Sequence, residues 1–300
     1  MRESRAPDLL NASAAIGAAI AAGRGTLGVP LFIQEETVST NDDAKRGARE
    51  GAPHGAVWLA ESQTGGRGRQ GRVWLSPRGE NLLFSVLMRL KCAPARVPPV
   101  SLACGLAVRD AVARALGGGD SAATDADVLV KWPNDVLVRG KDGALRKVAG
   151  VLVESALAGT RVEYVVIGIG INVHSREMPE EVAAIATSIA MERDGRCAAD
   201  APALDRGEIL ADVLAGLDRD VELVAHKGLA GVHTRLTRHD ALAGREVESE
   251  AVTGIAAGID PEGRLMVRGA DGVIVRVASG EMRVRVRRSA QGARDDGAFE

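Results

Sequence analysis

A run of glycines and arginines at residues 66–72 restricts the fold of this chain more than any other feature of its sequence. Its first six residues match the pattern G-x-G-x-x-G, which in dinucleotide-binding folds follows a strand and leads directly into a helix that binds the pyrophosphate. Residues 57–60 can form the strand, but Trp74, Pro77 and Gly79 come after the glycines and do not begin a helix. The sequence therefore argues against a dinucleotide-binding domain.

Three arginines, Arg67, Arg69 and Arg72, alternate with these glycines. Glycine lets the backbone approach an anion closely, and the arginine guanidinium donates paired hydrogen bonds to phosphate or carboxylate. We therefore interpret residues 61–77, called the glycine–arginine loop below, as a mobile loop that closes around an anion. A solvated basic turn is the alternative that these residues alone leave open.

The composition indicates a globular chain with no general affinity for nucleic acid or membranes. A length of 300 residues suits about two domains, and a formal net charge of −2 provides no overall attraction to polyanions. No apolar run is long enough to span a bilayer. Three widely spaced cysteines without a C-x-x-C pair predict a reducing compartment, the cytoplasm, and no zinc site.

Hydrophobic periodicity divides the chain into four parts. Residues 1–30 are predicted to be a helical N-terminal extension, and residues 31–238 alternate between helices and strands as an α+β domain. Short alternating strands predict a small β-barrel at residues 239–286, and residues 287–300 are predicted to be a disordered tail. Within the larger domain, residues 164–171 are a nearly continuous apolar run, which predicts a buried central strand. Helices are predicted there at residues 98–116, 181–190 and 205–227.

Five short motifs of glycine or polar residues lie beside the predicted strands of the larger domain. Small-molecule sites tend to form in clefts where polar groups converge, so the motifs are candidates for one binding site. In chain order they are Ser39-Thr40-Asn41, the segment from Gln63 to Arg72, Lys131-Trp132-Pro133-Asn134-Asp135, Lys147-Val148-Ala149-Gly150, and Gly168-Ile169-Gly170-Ile171-Asn172.

Together and in this order, the motifs resemble those of the biotin protein ligase family, and the resemblance covers roughly residues 31–285. Any one motif alone is weak evidence, whereas the full set in the family's order is specific. The resemblance implies a class II synthetase-like fold. In that fold, an α+β catalytic domain with a mixed β-sheet and flanking helices precedes a small SH3-like β-barrel.

The resemblance also implies an enzyme that forms a carbon–nitrogen bond in two steps. Biotin and ATP, with Mg²⁺, form biotinyl-5′-adenylate and pyrophosphate. A lysine of a biotin carboxyl carrier domain, from acetyl-CoA carboxylase or a related carboxylase, then takes up the biotin and AMP is released. Because only about thirty residues precede the first motif and they are not basic, we expect a monofunctional ligase that does not bind DNA. The net charge and the short apolar runs also lead us to expect no membrane binding. We expect a monomer or a weak homodimer in the cytoplasm.

Roles for individual residues follow from the same resemblance. Arg69, Lys147 and Lys131 are the expected catalytic residues, and Asp135 is a candidate Mg²⁺ ligand. The expected biotin-binding residues are Ser39, Thr40, Asn41, Gln63, Arg67, Gly68, Arg69, Lys147, Gly168 and Gly170. The expected ATP-binding residues are Arg67, Arg69, Arg72, Trp74, Lys131, Asn134 and Asn172.

Several of these residues also have an ordinary structural explanation. Ser39 and Thr40 suit a helix N-cap, Trp74 and Trp132 suit core packing, and Lys147 suits an exposed turn. For the whole chain, two other functions stay open: a lipoate or octanoate ligase or transferase of the same fold, and a biotin-binding module without catalysis. The glycine–arginine loop and the motif that contains Trp132 favour biotin over lipoate.

Overall fold

The computed structural model describes residues 8–117, 127–194 and 202–285. These residues form a larger domain around a seven-stranded sheet and a smaller domain around a five-stranded sheet. The tail predicted at residues 287–300 lies outside the described residues.

The larger sheet is mixed, as predicted, because its first two strands are parallel and all its other neighbouring strands are antiparallel. Its strands are β1 Leu31–Gln34, β2 Val57–Ala60, β3 Leu82–Met88, β4 Val128–Lys131, β5 Asp135–Arg139, β6 Leu145–Ala158 and β7 Arg161–Ile171. Their order in the sheet is β1-β2-β3-β7-β6-β5-β4, so β7 is the central strand. The apolar run at residues 164–171 therefore forms the buried central strand that the sequence predicts.

Helices cover both faces of this sheet. Within the described residues they are α1 Ala12–Ala21, α2 Thr40–Arg49, α3 Val97–Ala115, α4 Ile189–Arg193, α5 Arg206–Lys227 and α6 His233–Arg238. Helices α1, α3 and α5 pack in the main aliphatic core on one face, and α2 packs on β2, β3 and β7 on the other. Among the described residues, no helix combines the length and the apolar composition needed to cross a membrane.

The two faces of the sheet differ because side chains alternate along β7. Ile167, Ile169 and Ile171 belong to the main core. Gly168 and Gly170 lie between them in sequence and therefore face the opposite side, where the N-terminal turn of α2 approaches Gly168. The glycines contribute no side chains of their own on the α2 face, which lets Asn41 and Trp74 approach the backbone there, and this is the face on which the sequence motifs meet.

A smaller antiparallel sheet follows the larger domain, as predicted. Its strands are β8 Glu246–Glu248, β9 Thr253–Ile259, β10 Leu265–Arg268, β11 Ile274–Val277 and β12 Arg283–Val284, in the order β11-β10-β9-β8-β12. The indole Nε1 of Trp132 donates to the carbonyl of Gly263 at 2.9 Å and so joins the two domains. Trp132 is only 1% exposed, which supports core packing as its role.

The prediction of a helix at residues 181–190 is wrong. Most of this segment forms turns, and its backbone bonds to the start of β6 instead. Lys147 N donates to Ile185 O at 2.7 Å, and Thr187 N donates to Lys147 O at 2.9 Å. Helix α4 begins only after this pairing, where the Ser188 hydroxyl caps its first turn.

Helices α3 and α5 approach each other closely at Gly216. A Cβ placed on Gly216 would lie 2.8 Å from the Cβ of Ala107 on α3, and both residues are buried. We expect Gly216→Ala to lower the free energy of unfolding by about 1–3 kcal/mol, because the added methyl group forces the two helices apart. Urea denaturation followed by circular dichroism measures this change.

Gly17→Ala on α1 is the matched control, because no atom from elsewhere in the described structure lies within 4 Å of the position of its added Cβ. This substitution should leave the free energy of unfolding unchanged or raise it by about 0.4–1 kcal/mol, since alanine restricts the unfolded chain. Equal effects of the two substitutions would contradict the close packing of α3 on α5.

Candidate functional site

The motifs identified in the sequence meet on the α2 face of the larger sheet, next to the glycines of β7. The first motif begins α2, the glycine–arginine loop connects β2 to β3, and Lys147 lies on β6. The motif from Lys131 to Asp135 forms the turn between β4 and β5. The sheet order thus brings together residues that lie far apart along the chain.

The start of α2 is bound by the glycine–arginine loop. Thr40 donates to Gln63 Oε1 through its backbone N, at 2.8 Å, and through its hydroxyl, at 3.1 Å. The Ser39 side chain makes no capping hydrogen bond, although it precedes the helix. Capping by Ser39 is therefore not its role in this structure, and Gln63 links the loop to α2 instead.

Asn41 lies against Gly168 and is fixed by two partners that the sequence did not identify. Its amide oxygen accepts from the Ser85 hydroxyl at 2.6 Å, and its amide nitrogen donates to Glu154 Oε2 at 2.7 Å. A Cβ at Gly168 would lie 2.1 Å from Asn41 Oδ1, so only glycine leaves room for this amide. Ser85 interrupts the apolar run of β3, and that interruption could have revealed it.

Thr40, Asn41, Gln63 and Ser85 together form a polar cluster on the α2 face, joined by the Ser85 hydroxyl, which lies 2.8 Å from Thr40 Oγ1. Thr40 and Asn41 are 3% and 4% exposed, and Ser85 is fully buried. Buried polar groups are costly unless they are hydrogen bonded. The cluster supplies both donors and acceptors at one place, which suits a small polar ring.

Arg67 is bound to α2 through its guanidinium. It donates two hydrogen bonds to the Asp42 carboxylate, at 2.7 and 2.6 Å, and this pairing lowers the pKa of Asp42 to about 2. Lys45 then joins Asp42 to Glu154, with a distance of 2.9 Å from its Nζ to each carboxylate. A chain of charged groups therefore runs from the loop to Glu154, which contacts Asn41.

The centre of the glycine–arginine loop folds back on itself. Gly68 N donates to Arg72 O at 2.7 Å, and Trp74 N donates to Gly66 O at 2.9 Å. A Cβ on Gly66 would lie 2.8 Å from Trp74 O, so glycine is needed for this close approach. The glycines therefore shape the turn that presents the arginines.

Trp74 covers the second glycine of β7. A Cβ at Gly170 would lie 2.6 Å from the indole ring, and Lys147 Nζ lies 5.3 Å from the ring centroid, which is within cation–π range. The indole Nε1 is buried and has no hydrogen-bond partner in the part of the chain that the structure describes. It is a donor that a bound ligand can satisfy.

Arg69 and Arg72 reach different parts of the structure. Arg69 Nη1 lies 3.4 Å from Asn134 Oδ1, and burial lowers the pKa of this guanidinium. Arg72 donates to Glu281 Oε1 of the smaller domain at 2.9 Å. No sequence pattern identifies Glu281, because it is separated from Arg72 by 209 residues and lies in the other domain.

Two lysines flank Asp135. Lys147 Nζ lies 2.7 Å from Asp135 Oδ1, and Lys131 is opposite Asp135 in the β4–β5 pair. Burial lowers the pKa of Lys131, and the charge of Asp135 opposes that effect. No group of three or more potential metal ligands occurs in residues 8–117, 127–194 and 202–285, so a Mg²⁺ ion at Asp135 would need ligand oxygens as well.

The two asparagines expected to contact ATP are both hydrogen bonded to the backbone. Asn134 Nδ2 donates to Val151 O at 2.9 Å, and Asn172 Nδ2 donates to Thr187 O at 2.9 Å. The oxygen of Asn134 faces Arg69. The role of Asn172 toward ATP stays a prediction, and its observed role is to fix the segment before α4.

Two family models match the chain. The Biotin/lipoate A/B protein ligase family matches residues 34–172, and the Biotin protein ligase C terminal domain matches residues 244–285. The first match contains all five motifs, and the second covers the smaller sheet.

Similar proteins are named as ligases of biotin or as repressors that are also ligases. The chain is 30% identical to the bifunctional ligase/repressor BirA of Bacillus spizizenii, over 82% of this chain and 72% of that protein. It is 34% identical to the protein of the same name from Escherichia coli, over 77% and 67%. It is 40% identical to the biotin–[acetyl-CoA-carboxylase] ligase of Mycobacterium tuberculosis, over 56% and 57%.

Solved structures extend the similarity to the fold. A biotin protein ligase from Aquifex aeolicus in complex with biotin and ATP has a TM-score of 0.66 and 29% identity, covering 85% of this chain and 98% of that chain. The enzyme from Leishmania major in complex with biotinyl-5-AMP has a TM-score of 0.59 and 25% identity, covering 83% and 98%. With both domains matched and with such relatives, this chain belongs to the biotin protein ligase family.

Proposed function

We propose that the α2 face of this chain joins biotin to a lysine of a carrier protein by way of biotinyl-5′-adenylate. One observation carries the assignment of this face. The glycine–arginine loop, Lys147 and the polar cluster converge on the backbone at Gly168 and Gly170. The chain is accordingly an ATP-dependent ligase that forms a carbon–nitrogen bond, as its family membership indicates.

The cationic side chains suit the chemistry of activation. In the first step a carboxylate oxygen of biotin bonds to the α-phosphorus of ATP, the bond to the oxygen that bridges to the β-phosphate breaks, and pyrophosphate leaves. Cations fixed in place stabilise the charge that develops on the phosphate oxygens. In the second step the neutral amine of a carrier lysine attacks the acyl carbonyl, AMP leaves, and the new amide nitrogen loses a proton.

The contacts of each cation suggest its role. Lys147 lies beside Trp74 and is proposed to contact the activated carboxyl. Arg69 is proposed to bind the α-phosphate, and Lys131 and Arg72 the pyrophosphate side. Arg67 is paired with a carboxylate of α2, so it reaches the ligand only by exchanging that partner, or it acts through the loop backbone.

Polar and metal contacts complete the proposal. The polar cluster is proposed to bind the ureido ring of biotin, because it presents donors and acceptors together. Mg²⁺ is proposed to be held mainly by the triphosphate, with Asp135 as one protein ligand, since Mg²⁺ usually takes one or two carboxylates besides phosphates.

A cytoplasmic location and a monomeric or weakly dimeric state stay predictions from the sequence.

The proposed partner is a biotin carboxyl carrier domain of acetyl-CoA carboxylase or a related carboxylase, which the names of two relatives support. Transfer of labelled biotin to such a domain with ATP and Mg²⁺ tests the proposal directly. Pyrophosphate release and a gain in carrier mass equal to one biotinyl group are the expected results. Saturable biotin binding without pyrophosphate release would favour a binding module instead.

The enzyme alternative is a lipoate or octanoate ligase or transferase of the same fold, and the name of the matched family includes lipoate as well as biotin. Melting temperatures with ATP and either biotin or octanoate distinguish the two. Biotin should raise the melting temperature and octanoate should not. The reverse result would overturn the substrate assignment.

Arg69→Ala should weaken retention of the adenylate more than it weakens the fold. Loss of one charged hydrogen bond is expected to speed release of biotinyl-5′-adenylate by roughly 10- to 100-fold. The ligand-free melting temperature should change little, because Arg69 lies on a loop with one long contact to Asn134. Rapid gel filtration of labelled adenylate measures the release rate.

Arg78→Ala is the matched control for Arg69→Ala. Arg78 lies in the same connection between β2 and β3, is exposed, and pairs with Glu35. Its removal should leave the release rate unchanged. A large drop in ligand-free melting temperature for Arg69→Ala would show that the residue supports the fold instead.

Arg67→Gln should raise the pKa of Asp42 from about 2 toward its usual value of 3.8, because the substitution removes the hydrogen-bonded cation that favours the carboxylate. NMR titration of the carboxyl carbons measures this pKa. Because the pKa of Asp42 is lower in the folded state than in the unfolded state, its ionised carboxylate stabilises the fold above about pH 4. This stabilisation is lost as the pH falls toward about 2. Wild type and variant should therefore differ in melting temperature at neutral pH and converge in this acid range. An unchanged Asp42 pKa would contradict the observed pairing.

A further inference from the structure

Glu61 and Arg206 form an ion pair at the base of the glycine–arginine loop. Arg206 is fully buried and Glu61 is 7% exposed. Arg206 Nη1 lies 2.7 Å from Glu61 Oε2, and its Nη2 lies 3.2 Å from Glu61 Oε1. Arg206 is the first residue of α5, which packs in the main core. The pair therefore connects the helices behind the sheet to the loop.

This ion pair contacts both ends of the loop connection. Glu61 is the first residue after β2, and Arg206 Nη1 also donates to the carbonyl of Asn81, the residue before β3, at 3.1 Å. Gly79 N donates to Glu61 O at 3.2 Å and joins the two ends directly. One guanidinium thus contacts both ends of the connection between β2 and β3.

Asn81 extends these contacts to the loop and to the end of β7. Its Nδ2 donates to Ser76 Oγ in the loop at 3.0 Å. Its Oδ1 accepts from Val173 N at 2.9 Å and from Ser175 Oγ at 3.2 Å. The base of the loop and the segment that directly follows β7 therefore share one polar network.

Stability of the fold alone gives no reason for this buried pair. Removing two charges from water costs free energy that their attraction only partly returns, and apolar residues of similar volume are often at least as stabilising. Buried ion pairs can instead specify one arrangement over others. In this chain the two positions that Arg206 joins are Glu61 and Asn81, at the two ends of the connection between β2 and β3.

We propose that Glu61 and Arg206 are positioning residues. They hold the two ends of the β2–β3 connection in place, so that the arginines of the glycine–arginine loop keep their contacts with the acyl-adenylate. They act through the loop and are not catalytic residues. The inference rests on the proposed function, because it concerns retention of the intermediate that this function forms. If Glu61 and Arg206 have this role, removing both charges should preserve the fold but speed the release of biotinyl-5′-adenylate.

The double variant Glu61→Met/Arg206→Met tests this directly, because methionine approximates the volume of both side chains and the two substitutions remove both charges of the pair. Its melting temperature without ligand should stay close to that of wild type, because removing both buried charges offsets the lost hydrogen bond to the Asn81 carbonyl. Its release of labelled biotinyl-5′-adenylate should be faster by a factor on the order of ten, since displaced loop ends misplace the arginines. The KM for ATP should rise more than kcat falls.

Asp220→Asn is the matched control. Asp220 lies further along α5, is 1% exposed, and pairs with Arg235 at 2.8 Å and Arg219 at 2.9 Å. The substitution disturbs a buried charge network on the same helix, away from the loop. It should lower the melting temperature while leaving the release rate of the adenylate unchanged.

Faster release from a double variant that keeps its melting temperature supports the proposal, and unchanged release overturns it. If the double variant does not fold, Arg206→Lys replaces it, because lysine keeps the charge but cannot contact both Glu61 oxygens and the Asn81 carbonyl at once. Faster release from Arg206→Lys than from Asp220→Asn, compared at equal fractions folded, then supports the proposal, and equal release overturns it. A wild-type protein that forms no adenylate would overturn the proposed function and this inference with it.

Discussion

The alternation of isoleucine and glycine along β7 is the constraint on which the rest of this structure depends. Each fully buried isoleucine stabilises the fold by about 1.5–3 kcal/mol, and three of them attach the centre of the sheet to the helices behind it. The glycines weaken the strand locally, but they add no side chains of their own on its other face. Asn41 and Trp74 occupy the space that side chains at Gly168 and Gly170 would fill. A site on backbone in the middle of the sheet is possible only because the opposite face supplies the stability.

Helix α2 is attached to this face by two kinds of contact. Ala44 and Ala48 pack with Trp58 in a small apolar cluster, whereas the first turn of the helix contributes Thr40 and Asn41 to the polar cluster. The first turn also carries acidic residues, which suit the positive end of the helix dipole. One of them neutralises an arginine of the loop. The charge of the loop is therefore partly balanced before any anion binds, and the helix that balances it also supports the polar cluster.

Local sequence patterns predicted the parts of this site that lie on single elements. The apolar run identified β7, and its glycines marked the face of the site. Contacts between elements were not predictable, because they depend on the order of strands in the sheet. Ser85 and Glu154 contact Asn41 from neighbouring strands, and Glu61 is separated from Arg206 by 145 residues. The prediction of a helix at residues 181–190 was wrong for the same reason. The backbone there forms hydrogen bonds with β6, and the local apolar pattern gives no information about that distant strand.

Three ion pairs attach the glycine–arginine loop to other parts of the described structure, and they differ in exposure. At its base, the Glu61–Arg206 pair has side-chain exposures of 9% and 0%, so breaking it leaves a buried charge without its partner. Toward its centre, the Arg67–Asp42 pair is 38% and 42% exposed, and the Arg72–Glu281 pair is 55% and 37% exposed. Exposed ion pairs contribute only about 0–1 kcal/mol, and a phosphate chain offers more negative charge than one carboxylate. Ligand anions can therefore replace the carboxylates at the centre of the loop while its base stays in place, because water already reaches the pairs that must exchange.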